Sequence, residues 1–287
     1  MKQNVEKIAF VLIFPFIFQS SLAQAANCAE TMKKINSLYS NLVDECRNPD
    51  GSPDPLTDCS GLIIRGVERP NKNALNIWNP SPSEAELGTT SAYWMRADVN
   101  FLTPDAAHRS GYILTPVDDV PANEPKSHIA CIAPGPFLSD RRDDRGCGDS
   151  LSTPAQEKSC DAIGVNGANW VVKEFPRALL DVNNTCAFYM KRGHDRVAAA
   201  KDFVLARKSI QNVDSTWRWP TELRFYHPTE ANTQSVLAFF CADNASCREA
   251  LLIRDEYKKV VNKDKDVILI EFPDFPTRPA RFTCSPV

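Results

Sequence analysis

The sequence lacks the motifs that mark the common metal and nucleotide sites. Its four histidines are scattered singly and it has no CxxC pair, so a zinc site is not indicated. It also has no HExxH, GxSxG or GxGxxG motif and no glycine-rich phosphate loop. These absences argue against the common zinc-protease, α/β-hydrolase and dinucleotide-binding templates, and we expect neither a metal ion nor a resident cofactor.

Neither acidic nor basic residues are in large excess. The formal net charge is −3, with 24% charged and 43% hydrophobic residues, which is an ordinary globular balance. A mildly acidic chain does not suit nucleic-acid binding through a broad basic face. After the first thirty or so residues there is also no apolar run long enough to span a membrane. The composition predicts a folded protein that binds neither nucleic acid nor membrane.

The N-terminus has the pattern of a signal peptide. Lys2 and Lys7 precede an apolar run over residues 8–18, and small residues follow up to Ala25. We expect cleavage after Ala25, which leaves a single domain over residues 26–287. The mature protein is then secreted or periplasmic.

Cysteine usage agrees with export. All ten cysteines lie beyond the expected cleavage site, and an even number in an exported chain predicts disulfides rather than a catalytic thiolate. Spacing and order do not fix the connectivity, but they suggest five pairs: Cys28 with Cys284, Cys46 with Cys59, Cys131 with Cys147, Cys160 with Cys186, and Cys241 with Cys247.

Three helices are predicted from their starting residues. Asn27 with Glu30 has the form of a capping box, and an apolar stripe at helical spacing follows it. Asp195 is suited to cap a second helix whose last turn carries Arg207 and Lys208. Asn244 is suited to cap a third.

Short apolar or alternating runs predict the strands. They cover residues 62–64, 93–101, 111–114, 129–132, 222–226, 235–240 and 267–272. Strands and helices do not alternate regularly, and no repeat or linker is visible. The pattern therefore predicts one disulfide-rich α+β domain with antiparallel sheets and with N-terminal and peripheral helices.

The stretch from residue 59 to residue 101 contains the first candidate site residues. Arg65 ends an apolar strand, where it either forms a local ion pair or faces a ligand. Trp78 lies in a proline-rich loop over residues 70–88, where it either fills a small core or forms an aromatic wall. The next strand alternates, with Tyr93, Met95, Ala97, Val99 and Phe101 on one face and Trp94, Arg96, Asp98 and Asn100 on the other. We expect Arg65 and Arg96 to face a substrate cleft, with Asp98 in it and Trp78 near its rim.

Several motifs recur in the order found in a family of secreted bacterial proteins. They are the run from Cys59 to Gly66, Trp78 to Pro82, Met95 to Asp98, Gly146 to Gly148, Glu222 to Arg224, and residues 268–273. In these motifs the chain resembles the halovibrins over roughly residues 40–287. The resemblance implies an exported enzyme that acts on NAD as substrate, as a glycohydrolase or an ADP-ribosyltransferase.

A second resemblance concerns three of these residues. Arg65, Ser91 and Glu222 follow the order of the Arg-Ser-Glu constellation of ADP-ribosyltransferases, which implies a fold of that type. An arginine suits the pyrophosphate, a hydroxyl can orient the arginine or the glutamate, and a carboxylate can stabilise the ribosyl cation as nicotinamide leaves. Arg224 shares a strand face with Glu222 and is a further candidate for substrate binding.

Other functions stay open at this point. Arginine-directed transferases carry a second acid two residues before the catalytic one, and here that residue is Pro220, which favours water over a protein acceptor. Glu222 can instead form an ion pair on an exposed sheet face. The chain can also be a non-catalytic secreted binding protein, a degenerate family member or a glycan-acting enzyme, which needs two carboxylates in one cleft.

Overall fold

The described residues form one large sheet with helices on both faces. The computed structural model describes residues 16–67, 89–99, 109–115, 128–135, 158–180, 185–190, 195–214, 221–226, 236–274 and 277–285. The predicted strand end at residues 100–101, the loop over 70–88 with Trp78, and Cys147 lie outside these ranges.

The helices and strands have the following bounds. The helices are α1 (Phe16–Ser40), α2 (Trp170–Lys173), α3 (Phe175–Leu180), α4 (Arg196–Val213) and α5 (Asn244–Val261), with a 3-10 turn at Leu56–Asp58. The strands are β1 (Cys46–Arg47), β2 (Pro53–Asp54), β3 (Leu62–Gly66), β4 (Thr89–Met95), β5 (Ser110–Leu114), β6 (His128–Ala133), β7 (Phe188–Tyr189), β8 (Glu222–Tyr226), β9 (Val236–Cys241), β10 (Val267–Glu271) and β11 (Arg281–Cys284).

Nine of these strands pair in the order β11-β10-β9-β5-β3-β4-β8-β6-β7. Only the pairing of β9 with β10 is parallel among the strand pairs of the described residues. The predicted α+β class with antiparallel pairing is therefore confirmed. Among the described helices, none is long and apolar enough to cross a membrane.

Both faces of the sheet are buried. On one face, β-strand residues pack with helices α2 to α5 in a cluster that includes Trp94, Trp170, Phe203 and Tyr257. On the other face, α1 packs on the strands in a second cluster that includes Ile35. This double burial explains why β3, β9 and β10 are mostly apolar on both faces, since most of their residues are shielded from water.

Two predicted helix starts are wrong and one is confirmed. Asp195 caps α4, and its carboxylate accepts from the Ala198 amide. Helix α5 is capped by Asp243 instead of Asn244, because the Asp243 carboxylate and the Ser246 side chain form a capping box. Asn27 lies inside α1, which begins at Phe16, so its amide is not at a helix start and needs no cap.

Two predicted element ends are also wrong. Helix α4 continues beyond Arg207 to Val213, because Ile210 and Gln211 extend its buried side. Strand β4 ends at Met95, so the predicted alternation through residue 101 fails. Val99 belongs to the cluster on the face opposite to Met95, which shows that the chain turns between them.

Disulfides cross-link several parts of the described structure. Four of the suggested pairs are confirmed: Cys28–Cys284, Cys46–Cys59, Cys160–Cys186 and Cys241–Cys247. Cys131 is also disulfide-bonded. The bridge from Cys28 joins α1 to β11, so it ties the two ends of the described chain together.

The terminal bridge is predicted to stabilise the fold more than the shortest one. The variant C28S/C284S opens a loop of 256 residues and C241S/C247S a loop of 6. The loop-entropy model then predicts losses of about 5 and about 2 kcal/mol in the free energy of unfolding. Urea unfolding of both double variants measures the two losses. Equal losses, or a larger loss for the short loop, would contradict this prediction.

Candidate functional site

Three polar side chains lie together on the sheet face that α1 covers elsewhere. Ser91 on β4 is opposite Arg224 on β8, and Ala92 is opposite Leu223. Because side chains alternate along a strand, Ser91, Arg224 and Glu222 point to one face, while Ala92 and Leu223 join the core on the other. We call Ser91, Glu222 and Arg224 the polar strip.

The members of the polar strip are in contact. The Ser91 hydroxyl donates to Glu222 Oε1 at 2.9 Å, and Arg224 Nε lies 3.9 Å from the same oxygen. The side chain of Glu222 is only 6% exposed and that of Arg224 is 0% exposed. The strip is therefore a buried, charge-compensated cluster, and not the ion pair on an exposed sheet face that the sequence left open.

The polar strip interrupts an otherwise apolar face. On one side lie Met95 and Ile64 of the α1 cluster, with the half-buried Tyr93 packed against them. On the other side lies a small cluster of Cys131, Ala133 and Ala187. Cys131 is opposite Arg224 and Ala133 is opposite Glu222, so this cluster borders the strip directly. A hydroxyl, a carboxylate and a guanidinium in the middle of an apolar face are costly to bury, which singles the strip out as a candidate site.

The alternation of β8 explains how Glu222 reaches this position. Leu223 and Phe225 are both buried in the main core, and they fix which face of the strand points inward. A slip of one residue would move Glu222 and Arg224 into that core. The predicted placement of Glu222 and Arg224 on one face, with Leu223 and Phe225 in the core, is confirmed.

Arg65 contacts the main chain of β4 at Ser91. Its Nη1 donates to the Ser91 carbonyl oxygen at 2.5 Å. Arg65 is opposite Tyr112, whose side chain lies in the main core, so Arg65 leaves β3 on the face away from Glu222. Arg65, Ser91 and Glu222 thus lie on three adjacent strands, but only Ser91 and Glu222 of the three share a face. The Ser91 hydroxyl orients the glutamate, while Arg65 contacts the Ser91 carbonyl and does not face the predicted site.

Arg96 and Asp98 form a buried ion pair beyond the end of β4. Arg96 donates from Nε and Nη2 to the two carboxylate oxygens of Asp98 at 2.6 and 3.0 Å. Its Nη1 donates to the Val43 carbonyl at 2.8 Å, and its side chain is 0% exposed. Lys208 on α4 also contacts Asp98, at 2.7 Å. This geometry favours a structural role for Arg96 and Asp98 over the predicted contact with substrate.

The charge of Asp98 is stabilised by these cations. Burial acts to raise the pKa of Asp98, but hydrogen bonds from Arg96 and Lys208 outweigh it and hold the pKa below its ordinary value. The same contacts explain the end of β4. The chain turns at residues 97–98, and the turn presents the Asp98 carboxylate to the Arg96 guanidinium two residues earlier.

Thr221 is a site neighbour that the sequence did not single out. Its hydroxyl accepts from the Trp94 amide at 3.0 Å and donates to the Trp94 carbonyl at 2.9 Å. Threonine is common directly before a strand, so the sequence alone does not mark Thr221. Its contact with Trp94 becomes apparent only from the pairing of β4 with β8. The described residues contain no group of three or more His, Cys, Asp or Glu side chains placed to hold a metal ion.

Loss of the Asp98 charge is predicted to destabilise the protein at neutral pH but not in strong acid. Asp98→Asn should lower the free energy of unfolding by about 3 kcal/mol at pH 7, because it leaves the buried Arg96 without its carboxylate. Asp98 has a lowered folded-state pKa, so its contribution is complete above the unfolded value near pH 4. It is lost as the pH falls through the folded value.

Urea unfolding of the wild type and of Asp98→Asn between pH 2 and pH 7 measures this difference. The control is Asp264→Asn, which removes a pair with Lys258 that is more than half exposed, and its effect should be about 0–1 kcal/mol. A difference for Asp98→Asn that stays constant down to pH 2 would contradict the assignment.

Comparison with known proteins does not extend the resemblance to the halovibrins. No model of a known protein family matches the chain, and no curated protein is significantly similar to it in sequence. The resemblance therefore stays a prediction from the sequence motifs, and the functional proposal depends on the geometry of the polar strip.

Proposed function

We propose that this chain is an exported bacterial enzyme that hydrolyses NAD and releases nicotinamide. The observation that carries the proposal is the 2.9 Å hydrogen bond from the Ser91 hydroxyl to Glu222. Two residues 131 positions apart in sequence meet through a side-chain contact, on an otherwise apolar face and beside an arginine. The disulfides support export, since such bonds are typical of proteins in oxidising compartments.

Each residue of the site has a chemical part in this reaction. The bond between nicotinamide and the ribose C1′ breaks, and the electron pair leaves with the nicotinamide nitrogen. The Glu222 carboxylate stabilises the positive charge that develops on the ribose, and Ser91 holds that carboxylate in place. A water then adds to C1′ and loses a proton, which gives ADP-ribose.

Arg224 is the arginine suited to the phosphates of the substrate, because it lies on the same face as Glu222 and 3.9 Å from it. Arg65 points to the other face of the sheet and contacts the Ser91 carbonyl, so its part is to support β4 beside the site. Trp78 lies outside the described residues, and the proposal assigns it the part that the sequence predicted, an aromatic wall for a planar ring. An ADP-ribosyltransferase-like fold is part of the proposal, supported by the adjacent strands β3, β4 and β8.

Water is the acceptor in this proposal. The residue two positions before Glu222 is Pro220, which supplies no second acid to activate a protein side chain. Transfer of ADP-ribose to a protein is the alternative outcome, and adding an acceptor protein to the assay distinguishes it from hydrolysis.

The burial of the strip supports a second candidate function. As whole residues, Glu222 is 4% exposed and Arg224 is 0% exposed. This burial also suits a structural cluster inside a non-catalytic secreted binding protein. In that case the carboxylate stabilises the sheet and the protein does not cleave NAD. The two candidates differ in their response to removal of the Glu222 charge.

Glu222→Gln is predicted to abolish most nicotinamide release. The amide keeps the shape of the side chain but cannot stabilise the developing cation, so turnover should fall about 100-fold or more. Nicotinamide release from NAD by the purified, oxidised protein measures this, with and without an acceptor protein.

The matched control is Glu271→Gln, which makes the same change at an exposed strand residue at the end of β10. It should leave turnover within about twofold of the wild type. A wild-type protein that releases no nicotinamide, or a folded Glu222→Gln variant with unchanged turnover, would rule out the proposed role.

A further inference from the structure

The start of β8 is attached to β4 by a side chain. At this position the Thr221 hydroxyl makes both of the hydrogen bonds that a backbone partner would make with Trp94, at 3.0 Å to its amide and 2.9 Å to its carbonyl. Thr221 is fully buried and directly precedes Glu222, the first residue of β8. The hydroxyl therefore extends the pairing of β4 and β8 by one position beyond the strand itself.

Trp94 is a well-fixed point of attachment. Its indole Nε1 donates to the Ser60 carbonyl at 3.0 Å, and its ring packs edge-on against Phe203 with centroids 5.4 Å apart. Gly61 has a φ of +76° and passes so close to the indole that a Cβ there would lie 2.3 Å from Nε1. A displacement of Trp94 would therefore disturb two separate parts of the structure, the Ser60–Gly61 segment and helix α4.

We propose that Thr221 is a positioning residue that holds the Glu222 carboxylate against the Ser91 hydroxyl. The effect on catalysis rests on the proposed function, whereas the effect on the Ser91–Glu222 contact does not. Thr221 acts through the backbone, since it fixes the peptide from which Glu222 emerges. Valine has the shape of threonine but lacks the hydroxyl, so it would leave the Trp94 amide and carbonyl without these two bonds.

The first test separates kcat from KM for nicotinamide release. Thr221→Val should lower kcat about 10- to 100-fold and leave KM within about twofold, because Glu222 is displaced while the surfaces that bind NAD are kept. Thr221→Ser, which keeps the hydroxyl, should stay within about threefold of the wild type. Thr57→Val is the matched control, since Thr57 is equally buried and lies on the 3-10 turn.

Two results would overturn the catalytic part of the proposal. One is a folded Thr221→Val variant with the kcat of the wild type. The other is a Thr221→Ser variant as slow as Thr221→Val, since packing and not the hydroxyl would then matter. If Thr221→Val does not fold, Thr221→Ser and Thr221→Ala make the same comparison in a smaller side chain.

The second test needs no activity, so it separates failure of this proposal from failure of the proposed function. Thr221 hydrogen-bonds to Trp94 and the Ser91 hydroxyl to Glu222, so the two hydroxyls have different partners, and independent sites change stability additively. If Thr221 holds Glu222 against Ser91, Ser91→Ala should lower the free energy of unfolding less in the Thr221→Val background than in the wild type. Ser91→Ala should cost the same in the Thr57→Val background as in the wild type. Additive losses for Ser91→Ala and Thr221→Val would overturn the proposal even in an active enzyme.

Discussion

The antiparallel pairing of β4 with β8 is the constraint on which the candidate site depends. It joins two segments more than a hundred residues apart, with Ser91 opposite Arg224 and Ala92 opposite Leu223. This register alone brings the Ser91 hydroxyl to Glu222. The apolar residues on the other face enforce it, because any one-residue slip would bury the charges of β8 in the main core.

Strand β4 can impose this register because it lies in the middle of the sheet and is held on both faces. Trp94 packs in the main core and Met95 in the α1 cluster, while Arg96 is fixed beyond the strand end by Asp98 and a main-chain carbonyl. Disulfides add covalent ties, for example between α1 and β11 at the edge of the sheet. The fold thus combines a rigid central pairing with covalent cross-links, an arrangement that suits a protein outside the cell.

The sequence predicted most strands, because a short apolar run indicates a buried strand wherever that strand lies in the sheet. It predicted β4 poorly at its C-terminal end, because the alternation of residues 93–99 continues past a turn where the Arg96–Asp98 pair is held by the distant Val43 carbonyl and Lys208. It suggested Arg65, Ser91 and Glu222 as a set by resemblance, and of these Ser91 and Glu222 are in side-chain contact whereas Arg65 points to the other face of the sheet. It did not show that Arg65 would contact the Ser91 carbonyl, that Arg224 would be buried, or that Thr221 would bind Trp94. Each of these depends on the register between distant strands, which local patterns do not encode.

A crystal structure of the Glu222→Gln variant with NAD would show whether NAD is cleaved at the polar strip. The variant keeps the side-chain volume while slowing turnover, so intact NAD can be observed. We expect the nicotinamide ribose against residue 222 and Ser91, with the pyrophosphate near Arg224. NAD bound elsewhere on the protein, or no NAD bound at saturating concentration, would contradict it.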